Sequence, residues 1–272
     1  MAAPFSPPLD PRCDVQGKTP RELENKTVIV TGASSGIGAA AALLFAAEGA
    51  DVVLGARRSA NLETLAGTIR RGNGRAAFLA GDVKDEGYAE ALVDLAMREF
   101  GKLDAAFNNA GIVGEMGPIP DMGTSNWNDV LSVNLTAAFL AAKAQIPPMK
   151  EQGGGSIVFT SSFVGFSNGG MPGMGAYAAS KAGLIGLARS LASDHAADGI
   201  RVNALLPGGT VTPAGGEANP DVLEFIANLH PMKRMASAKE IAQAALFLLS
   251  DRSSFVTGSP MIADGGISVR LT

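Results

Sequence analysis

Between Thr27 and Ala263 the chain alternates short, almost wholly apolar runs with longer amphipathic stretches. Seven of the runs read as strands: Thr27–Thr31, Asp51–Leu54, Ala76–Ala80, Leu103–Phe107, Ser156–Thr160, Arg201–Leu205 and Met261–Ala263. The stretches between them read as helices over Gly38–Glu48, Asn61–Arg71, Glu86–Phe100, Trp127–Ile146, Tyr177–Ala197, Asp221–Leu229 and Ala238–Leu249, with Pro147-Pro148 expected to stop the fourth. A strand that is apolar on both faces needs cover on both faces. The pattern therefore predicts an α/β fold, a doubly wound three-layer α/β/α sandwich around a mainly parallel seven-stranded sheet. Its crossovers should be right-handed. Neither a fixed-period repeat nor a linker interrupts the chain after residue 25, so 25–272 is expected to form one domain. Residues 1–24 hold five prolines and little periodicity, which predicts a flexible arm.

Composition removes several classes of function. The net charge is −4, and no large Lys/Arg cluster stands out, which argues against nucleic acid as a main partner. Cys13 is the only cysteine and His195 and His230 the only histidines, so neither an intrachain disulfide nor a zinc site is expected, and metal is assigned no role. The first ten residues lack the basic and apolar regions of a secretory signal. No run of about 18 uncharged apolar residues predicts a membrane span. A cytoplasmic location is the expectation.

The segment Thr31-Gly32-Ala33-Ser34-Ser35-Gly36-Ile37-Gly38 lies where the first strand gives way to the first helix. Glycines there let the backbone turn sharply and approach a pyrophosphate, whose charge would face the free N–H groups of the helix start. The same residues satisfy Gly32-x-Ser34-x-Gly36, the nucleophile-elbow pattern of serine hydrolases. That reading needs an acid and a histidine at later strand ends. His195 falls in a predicted helix, and His230 in a Pro-flanked loop beside no recognisable acid.

Tyr177 and Lys181, four residues apart, share one helix face. An ammonium so close should favour the phenolate and bring the Tyr177 phenol nearer to neutral-pH proton exchange. Beside a dinucleotide loop, such a group suggests carbonyl reduction or alcohol oxidation. The hydrolase reading leaves both residues unexplained. A non-catalytic dinucleotide sensor would not need a proton donor.

These segments resemble the short-chain dehydrogenase/reductases over about residues 25–270. The motifs come in family order: the Thr31–Gly38 segment, Asp82-Val83, Asn108-Asn-Ala-Gly111, Asn134, Ser161-Ser162, Tyr177-x-x-x-Lys181, Pro207-Gly208 with Thr212, and Val256-Thr-Gly258 with Asp264-Gly-Gly266. The resemblance implies a Rossmann-like fold and an NAD(P)-dependent oxidoreductase. Tyr177 would move the proton and Ser162 would bond the substrate oxygen. Lys181 would tune Tyr177 and hold the nicotinamide ribose, while Asn134 would anchor a water leading to Lys181. It also implies that Asp82 and Val83 contact adenine, that Asn109, Ala110 and Gly111 pass near the ribose, and that Pro207, Gly208, Thr210 and Thr212 hold the nicotinamide. It points further to a homotetramer built on paired helices. One departure is the spacing of 15 positions from Ser162 to Tyr177, slightly longer than is common in the family, with the extra length in the Gly/Met-rich stretch 167–175.

Cofactor choice is set after the second strand, in Leu54-Gly-Ala-Arg57-Arg58. An acid there would bind a ribose 2′-hydroxyl, but the acid's position holds Ala56 and two arginines follow. A guanidinium pairs with a 2′-phosphate, which favours NADP over NAD; alternatively, the two arginines simply open a solvated helix. The expected reaction is NADPH-dependent reduction of a ketone or aldehyde. An NAD-dependent sugar or secondary-alcohol dehydrogenase is the alternative. Small ketones or aldehydes, sugars and 3-oxoacyl groups all remain open as substrates, and the stretch after Thr212 is expected to form the lid.

Overall fold

A computed structural model describes residues 21–167, 172–212 and 219–270. Seven strands form one sheet: β1 (Thr27–Thr31), β2 (Asp51–Ala56), β3 (Arg75–Ala80), β4 (Ala105–Asn108), β5 (Gly155–Thr160), β6 (Ile200–Pro207) and, last in the chain, β9 (Pro260–Ala263). Their order is β3-β2-β1-β4-β5-β6-β9, and every pairing is parallel. The order turns back on itself between β1 and β4, the switch point where open sheets of this kind leave a crevice. A short parallel pair, β7 (Thr210–Val211) with β8 (Ala236–Ser237), lies beyond the end of β6.

The side chains of the central strands alternate between two cores. Val28, Val30, Val52, Leu54 and Phe107 face one side. There they meet α1 (Gly36–Ala47), α2 (Ser59–Arg71) and α8 (Ala238–Leu249), with Phe45 edge-on to Phe107 at 6.0 Å. Ile29, Val53, Ala106, Ile157 and Phe159 face the other. They meet α3 (Glu86–Phe100), α5 (Ala137–Glu151) and α6 (Gly175–His195). This is the three-layer, doubly wound arrangement that the apolar strands require.

Two expectations need correction. The fourth helical stretch is not one regular helix: α4 (Thr124–Leu131) passes through a π turn over Ser132–Thr136 into α5. Nor do Pro147-Pro148 stop it, since α5 continues to Glu151. Tertiary anchors on either side of the prolines override their local preference. Gln145 exchanges two hydrogen bonds with buried Asn108 (2.9 and 3.1 Å), Met149 is fully buried, and the Gln152 side chain bonds the backbone of Leu103. The run Thr124–Glu151 is long and apolar enough to cross a membrane by composition. It is instead a core helix here, packed on α3 and α6.

The arm expected over 1–24 lies outside the described residues up to position 20. Leu23, by contrast, is fully buried, and its N–H bonds the Glu48 carbonyl at 2.9 Å, so residues 21–24 pack with the sheet and its helices. The last helix before α8, α7 (Pro220–Leu229), starts just past the stretch 213–218, which is outside the described residues. So are residues 168–171 of the Gly/Met-rich stretch.

Candidate active site

The crevice is built on Thr31, the last residue of β1. Its Oγ1 accepts the N–H groups of Asn109 (3.0 Å) and Ala110 (3.2 Å), tying the ends of β1 and β4 together just where the chain order reverses. The glycine turn follows. Gly32 (φ +68°) and Gly36 (φ +56°) take the left-handed backbone. At Gly38 a Cβ would lie 2.4 Å from the Gly32 carbonyl oxygen, so α1 can approach β1 only if that side chain is absent. Ser35, at the N-cap, makes no side-chain capping bond, and no acid stands in the first turn. The open N–H groups and the positive end of the helix dipole suit an anion.

The two arginines after β2 diverge. Arg58 turns toward the glycine loop and donates to Ser34 Oγ (2.9 Å) and Ser35 Oγ (2.8 Å). Arg57 is exposed on the side of Lys84. Guanidinium and two hydroxyls together make a donor cluster at the mouth of the turn. Ser34 thus receives an arginine. His195 pairs with Asp198 (3.0 Å) and His230 bonds backbone groups near α7, so neither histidine serves Ser34 and the elbow reading has no triad.

Asp82 closes its own turn, with Oδ1 accepting the Lys84 N–H at 3.0 Å, while Val83 packs against the α3 side of the core. Asn109 spans to Thr31 and Thr160. Gly111 passes so close to the catalytic candidates that a Cβ would stand 3.1 Å from Asn134 Oδ1 and 3.2 Å from Lys181 Nζ. At the far end of the crevice Pro207 and Gly208 finish β6, Thr210 Oγ1 donates to the Gly208 carbonyl, and Thr212 packs against Gly36.

Ser162, Tyr177, Lys181 and Asn134 converge from three elements. The Ser162 hydroxyl, which accepts the Val164 N–H at 3.3 Å, lies beside the Tyr177 phenol and favours its ionised form. Lys181 Nζ lies 5.5 Å from the Tyr177 ring centre and donates to the Thr160 carbonyl at 2.7 Å. The π turn carries Asn134, whose amide bonds both backbone groups of Ile112 (2.8 and 2.9 Å) and Ser180 Oγ (2.9 Å). Ser161 is turned away, its hydroxyl bonding the Lys181 carbonyl at 2.7 Å. Thr31, Thr160 and Ser180 are positioning groups that the motif reading passed over. The first was in view, immediately before Gly32; the others have no sequence signal of their own.

The expected electrostatics are reversed at Tyr177. Burial pushes its phenol above the ordinary value, and the Ser162 hydroxyl only partly offsets this. Burial likewise lowers Lys181, which is 3% exposed, to about 8.

That desolvation yields a prediction. Lys181 holds its proton less tightly folded than unfolded. Its burial therefore costs on the order of 3 kcal/mol below about pH 8, a penalty that lifts as pH rises toward the ordinary lysine value. Lys181→Met removes the penalty and leaves the Thr160 carbonyl without its partner, a loss of about 1–3 kcal/mol. The ligand-free variant should equal or exceed the parent in urea stability at neutral pH, and its advantage should shrink as pH rises from 7 to 9.5. A stability difference independent of pH would contradict the buried charge.

A family model described as enoyl-(acyl carrier protein) reductase matches residues 32–268. The 2,5-dichloro-2,5-cyclohexadiene-1,4-diol dehydrogenase of Sphingobium indicum is 41% identical over 251 residues, covering 91% of this chain and 98% of that protein. The cis-4-hydroxycyclohexanecarboxylate dehydrogenase of Sinomonas cyclohexanicum is 40% identical over 241 residues, covering 89% and 96%. The crystal structure of levodione reductase superposes with a TM-score of 0.87 at 34% identity, covering 92% of this chain and all of that one. Motifs, fold and relatives agree: the chain belongs to the short-chain dehydrogenase/reductase family and is an NAD(P)-dependent oxidoreductase of CH–OH and C=O groups.

Proposed function

We propose that this enzyme interconverts a ring-borne secondary alcohol and the corresponding ketone, with NADPH as the preferred cofactor and Tyr177 as the proton carrier. The observation that carries the reading is the convergence of the Ser162 hydroxyl and the Tyr177 phenol beside the buried ammonium of Lys181. When bound, the nicotinamide would supply or accept the hydride. Tyr177, its proton held by burial at neutral pH, would donate to the carbonyl oxygen during reduction and take the proton back from the alcohol in reverse. Ser162 would bond the same oxygen and hold the charge developing on it. Lys181 and Gly111 would flank the nicotinamide ribose, with Thr210 and Thr212 beyond it. Asn134 keeps the segment after β4 against α6, where it could anchor a water leading to Lys181.

The preference for NADPH rests on Arg58, whose guanidinium already gathers the Ser34 and Ser35 hydroxyls into a site suited to a 2′-phosphate. An apolar mouth supports the alicyclic substrate. Val113, Met116 and Ile119 after β4, and Val222 and Phe225 on α7, are exposed, and α7 is rich in apolar residues yet buries none of them. Two of the relatives are named for six-membered carbocycles. A tetramer is part of the same reading. Leu184 and Ala138 face the core and Leu135, Leu187 and Leu191 are half-buried, but Phe139 on α5 is 51% exposed and Phe255 fully so.

Three measurements test these points. NADPH should bind at least tenfold more tightly than NADH, about 1.4 kcal/mol, and Arg58→Asp should erase most of the difference while Arg57→Asp has the smaller effect. Equal affinities in the parent would defeat the NADPH preference. Tyr177→Phe should remove nearly all turnover of cyclohexanone or cyclohexanol and leave dinucleotide affinity within about threefold, because only the proton is lost. A variant keeping a third of the parental kcat would rule Tyr177 out as the acid. Light scattering should give about four times the chain mass of 27.7 kDa. A single-chain mass at every concentration would refute the assembly alone.

A further inference from the structure

His230 has no part in the roles assigned above, yet it is 1% exposed and sits where three segments meet: the end of α7, the turn after β6 and the turn after β9. Its Nδ1 lies 2.8 Å from the Ile226 carbonyl oxygen, and its Nε2 accepts the Gly209 N–H at 2.9 Å. A carbonyl can only accept and a peptide N–H can only donate. Both partners therefore fix the ring as the neutral tautomer, with the proton on Nδ1 and a bare Nε2. The backbone is fitted around it. A Cβ at Gly208 would stand 2.9 Å from Nε2, and one at Gly209 would stand 2.8 Å from Cε1. On its other side Gly209 is fixed by the Ala236 N–H, which donates to its carbonyl at 2.9 Å, and β7 then pairs with β8.

We propose that His230 is a positioning residue that, as its neutral Nδ1–H tautomer, sets residues 208–212 against the nicotinamide half of the cofactor site and ties them to α7. The inference rests on reading 207–212 as the nicotinamide contact. The chain from Gly209 leads directly to Thr210 and to Thr212, which packs against Gly36 of the glycine turn. Protonation at Nε2 would set one N–H against another and release that segment. The charged groups nearby are engaged elsewhere. Asp264, across Gly208, accepts the Gly266 and Ser268 N–H groups (2.8 and 2.9 Å). Lys233 Nζ bonds the Asn228 carbonyl, and Arg270 the carbonyls of Asn228 and Leu229. Arg234 pairs with Glu240, and Asp221 and Glu224 of α7 are exposed.

The test compares NADPH with adenosine 2′,5′-bisphosphate, which lacks the nicotinamide and its ribose. His230→Phe keeps a ring but accepts no hydrogen bond. It should weaken NADPH about tenfold or more and leave the bisphosphate within about twofold. His230→Gln can present an oxygen to Gly209 and should recover most of the lost NADPH affinity. An unchanged NADPH affinity in His230→Phe, an equal loss for both ligands, or no recovery in a folded His230→Gln would overturn the assignment. A parent that binds neither ligand would overturn the dinucleotide reading and this inference with it.

Discussion

Thr31 closes the gap that the sheet's own connectivity opens. A parallel sheet whose order reverses must let the chain diverge at one point, leaving backbone N–H groups of the next strand's exit without a ladder partner. One hydroxyl takes two of them, from Asn109 and Ala110, and the Asn109 amide returns a bond to the Thr31 carbonyl. The glycine turn, the path of Gly111 toward Lys181 and the depth of the crevice all depend on that closure. The glycines follow from it: with the strand ends drawn together, there is room for backbone but not for Cβ atoms at Gly32 and Gly38.

The end of the crevice around Ser162 and Lys181 is held by a different means, the burial of polar groups with assigned partners. Asn134, Ser161, Ser162 and Lys181 are all nearly inaccessible, and each has a hydrogen-bond partner. Such a cluster is rigid because every alternative orientation leaves a buried donor or acceptor unmatched. Its least favourable member is Lys181, whose ammonium is kept out of water with one carbonyl to bond. A fold selected for stability alone has no use for that arrangement. The proposed role of Lys181, a cation held beside a phenol and a dinucleotide, would account for it.

The end of the crevice beyond β6 is assembled from backbone more than from side chains. Gly208, Gly209 and the β7–β8 pair bring together chain segments far apart in sequence, and the imidazole of His230 fills the junction. Here a residue that looked like a stray candidate for acid–base chemistry has both nitrogens committed to main-chain groups. It acts through geometry and touches neither the glycine loop nor the serine–tyrosine pair.

What the sequence determined was whatever depends on local period and local chemistry. Strands apolar on both faces required a sheet covered on both sides. The glycine spacing required a tight strand-to-helix turn, and the four-residue interval put Tyr177 and Lys181 on one face of α6. Only the tertiary structure could decide outcomes that depend on distant neighbours. Pro147 and Pro148 sit inside a helix because Gln145 and Met149 anchor the chain on both sides of them. Arg58 reaches the glycine loop while Arg57 does not, because β2 ends beside Ser34 with one of two adjacent side chains facing it. The Tyr177 phenol is raised, not lowered, because burial outweighs the neighbouring Ser162 hydroxyl. Desolvation is a property of everything packed around a group, and no interval along the chain encodes it.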